Sequence, residues 1–362
     1  MEVLLIHASA GAGHQKAAEA VFQRVKNLPA LTGTLIDALD YTPAYFRRSY
    51  RDSYTYLVTR LPWVWDFFFK IADIPWLQGL VRVFRRCYNG VHTRRLVRLV
   101  QSKNWGAVVT TQFLSVEVCG FLKRSGRIQS RVVCVVTDYD VHRIWVNPGI
   151  DIYAVACEWT RVRLLALGVA EERIKITGIP TDSRFAEVYD RAELRRKLGL
   201  DPAAFTVLMT TGSFGSGPIE TLVNKLKNVQ IIVVCGHNRK LFERLSPQAP
   251  AHVKVCGLVN NMYELMAASD CMLSKPGGLS ISEALVMNLP MIFFSAIPGQ
   301  ETKNIEVLKH YQISDGLSTL DEVTQTLERW QRNPDELEKI RQRMKTLARP
   351  RAAEDILALL SP

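Results

Sequence analysis

The 362-residue chain has no apolar run long enough to cross a bilayer. Its most apolar stretch, residues 61 to 81, is interrupted by Pro62, Asp66, Lys70, Asp73 and Pro75, which argues against a spanning helix. Cysteine is sparse and unpatterned: Cys87, Cys119, Cys134, Cys157, Cys235, Cys256 and Cys271 form an odd set with no C-x-x-C spacing, which excludes a disulfide framework and a zinc module. No internal repeat and no low-complexity segment is present. The first apolar strand is expected from residue 3, so no signal peptide is expected ahead of the fold. The third glycine of a G-x-G-x-x-G fingerprint is missing too, because Lys16 stands at its place, and a nicotinamide cofactor is not expected.

What the chain does have is glycine-rich turns between buried strands and helices. Residues 274 to 284, Ser-Lys-Pro-Gly-Gly-Leu-Ser-Ile-Ser-Glu-Ala, carry a short apolar strand into paired glycines and on into a helix bearing an acid. The first amides of a helix lack intrahelical partners and sit at the positive end of the peptide dipoles, so this turn suits an anionic phosphate. Gly277 and Gly278 allow close backbone approach, Ser280 and Ser282 supply hydroxyls, and Glu283 can accept from a ribose diol. A plain strand-to-helix connection would use the same glycine pair. Near the amino end, residues 3 to 8 predict a buried strand, Ser9-Ala10-Gly11-Ala12-Gly13-His14 a loop, and 15 to 25 a helix with Ala17, Ala18, Val21, Phe22 and Val25 facing inward. That loop presents His14 at the carboxyl edge of a sheet, where open α/β folds bind ligands. A third turn, Gly212-Ser213-Phe214-Gly215-Ser216-Gly217, follows a strand at 205 to 211.

Length, a 48% share of hydrophobic residues and strands alternating with helices predict an α/β protein of two Rossmann-like domains, each with a parallel sheet, facing a cleft. Strands are expected at 3–8, 33–37, 106–111, 131–137, 152–156 and 173–177, then at 205–211, 230–235, 252–256, 270–274 and 290–295. Gly178 and Pro180 punctuate the pattern between the halves, which places an amino-terminal, acceptor-binding domain at 1–178 and a donor-binding domain at 179–345. Helices at 334–347 and 351–360 close the chain, and the terminal segment 346–362 is expected to pack back on the first domain. His7 is expected to be a core histidine and His237 a loop residue near the nucleotide, while Lys275 fits a phosphate contact and a surface lysine before a turn equally and is left out of the site.

The net charge of +11 is concentrated. Residues 41 to 103 hold twelve Lys or Arg against three Asp, a balance of +9, together with 14 of the 32 aromatic residues. Basic residues mixed with Trp and Phe suit a membrane surface, where rings lie at headgroup depth and cations meet anionic lipid. Trp63, Trp65, Phe67, Phe68 and Phe69 are the expected ring anchors, and Arg82, Arg85 and Arg86 the expected charges, the latter on a helix from 77 to 99 with Leu77, Leu80, Val81, Phe84 and Tyr88 opposite. A helical insert packed on its own domain with a solvated basic face would look alike. Nucleic acid is not expected as a partner, since no RNP strand or zinc module accompanies the charge.

Five motifs in order resemble the processive diacylglycerol glucosyltransferases and plant-type monogalactosyldiacylglycerol synthases: the loop ending in His14, Val-Val-Thr-Asp-Tyr at 135–139, Ile-Thr-Gly-Ile-Pro at 176–180, Val-Cys-Gly-His-Asn at 234–238, and Lys-Pro-Gly-Gly with Ser-Glu-Ala. Ala12 departs from the pattern, where the family more often has a third consecutive glycine. The resemblance implies a GT-B fold and inverting transfer of glucose or galactose from a UDP-sugar to diacylglycerol. No metal is required if helix amides stabilise the leaving UDP, and no resident cofactor is expected; the unpatterned cysteines and the lack of an expected signal peptide fit a cytoplasmic protein peripheral on the inner face of the plasma membrane. His14, whose ordinary pKa lies near neutrality and whose loop faces the cleft, is the first candidate for the base and Asp138 the second, with Gly13 among the substrate contacts; a His14 that only orients substrate or satisfies a backbone group, and an Asp138 that holds His14 or caps the following turn, are the alternatives. The resemblance also assigns roles by position. Gly212, Ser213, Gly215, Gly277, Gly278, Leu279 and Ser280 meet the donor phosphates, Glu283 the ribose, Leu258 and Val259 the uracil. Gln300 and Glu301 read hexose hydroxyls, with Asn304 one helical turn further on. A polyprenyl-linked or sterol acceptor, or a protein that binds nucleotide sugar and lipid without turnover, fits the same donor motifs.

Overall fold

The computed structural model describes residues 1–9, 11–71, 88–210 and 218–361. The chain divides into two compact units. The first comprises Met1–Asp182, Ile297–Lys303 and Arg351–Pro362, and the second Ser183–Ala296 with Asn304–Pro350.

The first unit is built on six parallel strands in the order β2-β1-β3-β4-β5-β6. They are β1 (Glu2–His7), β2 (Thr32–Asp37), β3 (Ala107–Thr110), β4 (Arg131–Val135), β5 (Ile152–Val155) and β6 (Ile174–Ile176). Both faces of the sheet are covered, which is why its inner strands β1, β3, β4 and β5 are mostly Val, Leu, Ile and Ala, whereas the edge strand β2 is Thr-Gly-Thr-Leu-Ile-Asp and largely part-buried. Successive residues alternate between two apolar layers. Leu4, Ile6, Val108, Val132 and Cys134 pack on one side with Leu96, Leu114, Cys119 and Leu122. Val3, Leu5, Ala107, Val109 and Val133 pack on the other with Val21, Val25, Ala353 and Ile356. The terminal helix Ala352–Ala358 thus shares a layer with the helix Ala12–Lys26, and Arg24 joins Glu354 at 2.8 Å.

The second unit carries five parallel strands in the order β11-β10-β7-β8-β9. These are β7 (Thr206–Thr210), β8 (Gln230–Val234), β9 (Val253–Cys256), β10 (Cys271–Ser274) and β11 (Met291–Phe293). Val207, Met209, Ile231, Val233 and Leu273 form its core with Leu222, Val223, Leu327 and Trp330. In both sheets the strand order reverses direction beside the first strand of the sheet, between β1 and β3 and between β7 and β10. Those two carboxyl-end crevices are where an open parallel sheet offers a ligand site.

Of the 41–103 segment, helices Ala44–Arg60 and Pro62–Ile71 and a helical stretch at 88–92 are described. The continuous helix expected over 77–99 is broken. Thr93 has φ −100° and ψ 15°, its hydroxyl bonds back to Asn89 O at 2.8 Å, and a separate helix runs Arg94–Val100. Arg82, Arg85, Arg86, Leu77, Leu80, Val81 and Phe84 lie outside the described residues, as do Gly212, Ser213 and Gly215. No described helix is long and apolar enough to cross a membrane. Cys119, Cys134, Cys157, Cys235, Cys256 and Cys271 are free.

Candidate active site

The loop after β1 is shorter than expected. Helix Ala12–Lys26 begins three residues before the predicted start, so Gly13 and His14 lie in its first turn, and Gly11 takes φ 140°, a conformation that requires glycine. No described side chain caps this helix start. His14 is held by the ends of two other strands. Thr111 Oγ1, just past β3, donates to His14 O at 2.8 Å, and Thr137 Oγ1, just past β4, lies 2.9 Å from His14 Nδ1. Trp145 packs against the imidazole with ring centroids 6.1 Å apart. The residue as a whole is half-buried. Burial of the ring pushes its pKa down to about 4, the Thr111 hydrogen bond opposing and neighbouring His7 adding to the effect. His14 is therefore neutral at pH 7. If Nδ1 donates to Thr137, Nε2 keeps the lone pair that a base needs.

Asp138 follows Thr137 and is buried at 4% exposure. Gln300 Nε2 donates to both of its carboxylate oxygens at 2.8 Å. The sequence reading placed Asp138 with the base and Gln300 with the hexose. The fold brings these two side chains into contact within the first unit, with the Gln300 amide nitrogen engaged by the carboxylate. Glu301 also turns inward on its own loop, its Oε2 accepting from Ile297 N at 2.6 Å. It shapes the 297–300 turn that carries Gln300.

In the second unit the Lys-Pro-Gly-Gly turn leads from β10 into helix Gly278–Val286. Gly277 is the N-cap, with no side-chain cap bond, φ −70° and ψ 136°, and a Cβ placed there would meet nothing within 4 Å. Leu279, Ser280 and Glu283 on the first turns are half-buried. The hydroxyl of Ser282 is committed to Gly278 O at 2.9 Å. Asn304, expected among the hexose contacts, is completely buried and donates Nδ2 to Pro276 O at 3.0 Å. It braces the glycine turn from below, and a side chain with no exposed surface is not placed to touch a sugar. Past β9, Leu258 stands 68% exposed, unusual for leucine, with half-buried Val259 beside it.

On the insert, Trp63 is 71% and Phe67 58% exposed, whereas the side chains of Trp65, Phe68 and Phe69 lie outside the described ones. Sequence reasoning missed Asp37, Ser9 and Arg51, which converge at the carboxyl edge of β1 and β2. The only signal in the sequence was an Asp closing an apolar strand.

A family described as monogalactosyldiacylglycerol (MGDG) synthase matches residues 14–181, and the glycosyltransferase family 28 C-terminal domain matches 206–347. A processive diacylglycerol beta-glucosyltransferase of Bacillus subtilis (strain 168) is 32% identical over 263 residues, 68% of each chain. A protein of the same name from Bacillus licheniformis is 28% identical over 340 residues, 88% of this chain and 86% of that one. Among solved structures, Acinetobacter baumannii MurG superposes with a TM-score of 0.62 at 14% identity, each chain covered to 99%. Anabaena Alr3699/HepE in complex with UDP-glucose gives 0.60 at 13%, again with 99% of both chains covered. The two likenesses establish a shared fold, the GT-B arrangement of two Rossmann-like domains. With both family domains matched in order and two thirds of a relative aligned at 32% identity, the chain belongs to the diacylglycerol glycosyltransferase family and is a glycosyltransferase.

Proposed function

We propose that the protein transfers a hexose from a UDP-sugar to the free hydroxyl of diacylglycerol, with inversion at the anomeric carbon, while docked on the inner face of the plasma membrane. The observation that carries this reading is His14, neutral and fixed on a helix start at the switch point of the first sheet, with Nδ1 occupied by Thr137. In the proposed step Nε2 takes the acceptor hydroxyl proton. The hydroxyl oxygen forms the new bond to the anomeric carbon, and the bond from that carbon to the UDP oxygen breaks. Asp138, both of whose carboxylate oxygens accept from the Gln300 amide, holds the Thr137–Asp138 segment in place beside the imidazole, which favours His14 over Asp138 as the base.

The donor diphosphate is proposed to sit at the uncapped amides of Gly278, Leu279 and Ser280, which offset the leaving charge without a metal ion. Glu283 is proposed for the ribose and the exposed Leu258 with Val259 for the uracil. Gly13, Gly212, Ser213 and Gly215 complete the proposed set. The exposed Trp63 and Phe67, amid a locally basic segment, support lipid docking. The relatives described above are named glucosyltransferases, which favours glucose over galactose as the sugar.

The test is a product assay with purified protein, labelled UDP-glucose and UDP-galactose in parallel, and diacylglycerol in anionic vesicles, resolved by thin-layer chromatography. Labelled glycolipid from UDP-glucose is expected. Glycolipid from UDP-galactose alone would reverse the sugar assignment. No glycolipid from either donor, with UDP still bound, would overturn diacylglycerol as acceptor and direct the same assay to polyprenyl-linked and sterol acceptors.

A further inference from the structure

Asp37 ends β2 and lies in register with His7 at the end of β1. Its Oδ1 accepts from Ser9 N at 3.3 Å and from Leu39 N at 2.9 Å. Its Oδ2 accepts from Ser9 Oγ and, at 3.2 Å, from a guanidinium nitrogen of Arg51, and that nitrogen donates to Ser9 Oγ as well. A carboxylate has about four lone-pair sites, and these donors fill them. The Asp37 side chain is 11% exposed, so the pair with Arg51 is shielded more than a surface ion pair. Burial of Asp37 without these donors would carry the full cost of desolvating a charge.

Two parts of the molecule meet at this carboxylate. Ser9 stands just past β1, ahead of helix Ala12–Lys26, which carries His14 in its first turn and whose N-cap, Gly11, supplies no side-chain cap. Arg51 belongs to helix Ala44–Arg60 at the head of the aromatic and basic segment. The same helix is seated by Phe46, 1% exposed, and by Tyr50, whose hydroxyl accepts from Gln112 Nε2 at 2.9 Å. We propose that Asp37 is a positioning residue: through Ser9 and Arg51 it ties the His14 loop to the lipid-facing insert, so that the seating of that insert sets where His14 stands. Displacing a reacting group by about 1 Å can cost about 10²-fold in rate, so a connection of this kind acts on turnover rather than on donor binding.

The inference rests on the proposed transfer through His14, and its test separates the two. Arg51→Ala, Ser9→Ala and the double variant are compared with Arg47→Ala, which cuts the exposed 2.9 Å pair of the same helix with Asp40 and does not reach Ser9. Each single variant is expected to lower kcat roughly tenfold with the KM for UDP-sugar unchanged. Arg51→Ala takes the insert's guanidinium out of the cluster and Ser9→Ala takes out the hydroxyl it reaches, Ser9 N keeping its 3.3 Å bond to Asp37, so the double variant is expected to be no worse than Arg51→Ala alone. Arg47→Ala is expected to transfer like the parent. Unchanged kcat in both single variants, multiplicative loss in the double, or an equal loss in Arg47→Ala would overturn the inference. The ring resonances of His14 by NMR give a readout independent of turnover. They are expected to move in Arg51→Ala and Ser9→Ala and to stay in Arg47→Ala. If the parent transfers no hexose yet the resonances move as expected, the function fails and the link stands; unmoved resonances overturn the link in either case.

Discussion

Gly11 and Gly277 are the same residue for opposite reasons. Gly11 is required by its own backbone, since φ 140° strains any side chain. Gly277 has φ −70°, which any residue adopts, and open space where a Cβ would go. Nothing among the described residues asks for glycine there, so the turn's glycine is read as serving what approaches it. Gly277→Ala is expected to keep or raise thermal stability, by about 0.4–1 kcal/mol from the stiffer unfolded chain, while UDP affinity by calorimetry falls roughly tenfold. Equal affinity would remove this turn from the donor site. His14 carries a second expectation. Its folded pKa, about 4, lies below the ordinary 6.5, so the unfolded chain binds the extra proton and stability declines as pH falls through that window. By the same shift the acidic limb of kcat/KM is expected below about pH 5 rather than near 6.5, and His14→Ala is expected to bind UDP normally while losing transfer. Residues of this kind were partly legible. His14 and the glycine pair stood out because loop and helix-start chemistry is local. Asp37, Asn304 and the Gln300–Asp138 contact were not, because the partners that give them a role, Ser9 and Arg51 for Asp37, Pro276 for Asn304 and Asp138 for Gln300, lie 14 to 162 residues away in sequence.

At the scale of elements, all eleven strands among the described residues fall where apolar runs placed them, each end within two residues of its expected place. Parallel strands covered on both faces leave an unambiguous run of Val, Ile and Leu. Helix beginnings were harder. The helix carrying His14 starts at Ala12, because a glycine at φ 140° sets the turn and no Ser, Thr, Asp or Asn marks an N-cap. The break at Thr93 was invisible for a related reason, since a threonine hydroxyl that bonds back to Asn89 O competes with the helix without a proline or glycine to announce it. The insert illustrates how one segment faces two ways. On helix Ala44–Arg60, Phe46 is buried at 1% beside Tyr45 at 66%, and the next helix exposes Trp63 and Phe67. Burying two such rings in a lipid interface is worth about 1.5–3 kcal/mol each. Trp63→Ser with Phe67→Ser is therefore expected to weaken vesicle binding by about 10²-fold in a flotation assay and to leave UDP affinity unchanged. Equal loss of both would place these rings in a core.

Across the whole molecule the charge is distributed as unevenly as the aromatics. A balance of +9 in residues 41 to 103 accounts for most of the chain's +11, and Arg48, Arg60, Arg94, Arg95 and Arg98 are exposed within it. The donor motifs lie elsewhere, on a turn whose helix amides act at hydrogen-bond range. Salt should therefore distinguish the two activities in one protein. Each cation near an anionic surface contributes about 1 kcal/mol, and that attraction decays over a Debye length of about 10 Å at 0.1 M and about 3 Å at 1 M. Affinity for anionic vesicles is expected to fall at least tenfold between those salt concentrations, and affinity for zwitterionic vesicles to be weak and nearly constant. UDP affinity is expected to change several-fold at most over the same range, since contacts at bonding distance are screened less than charges facing a membrane across water. Vesicle binding that ignores salt would assign docking to the rings alone, and equal binding to zwitterionic vesicles would remove the basic segment from recognition of the bilayer.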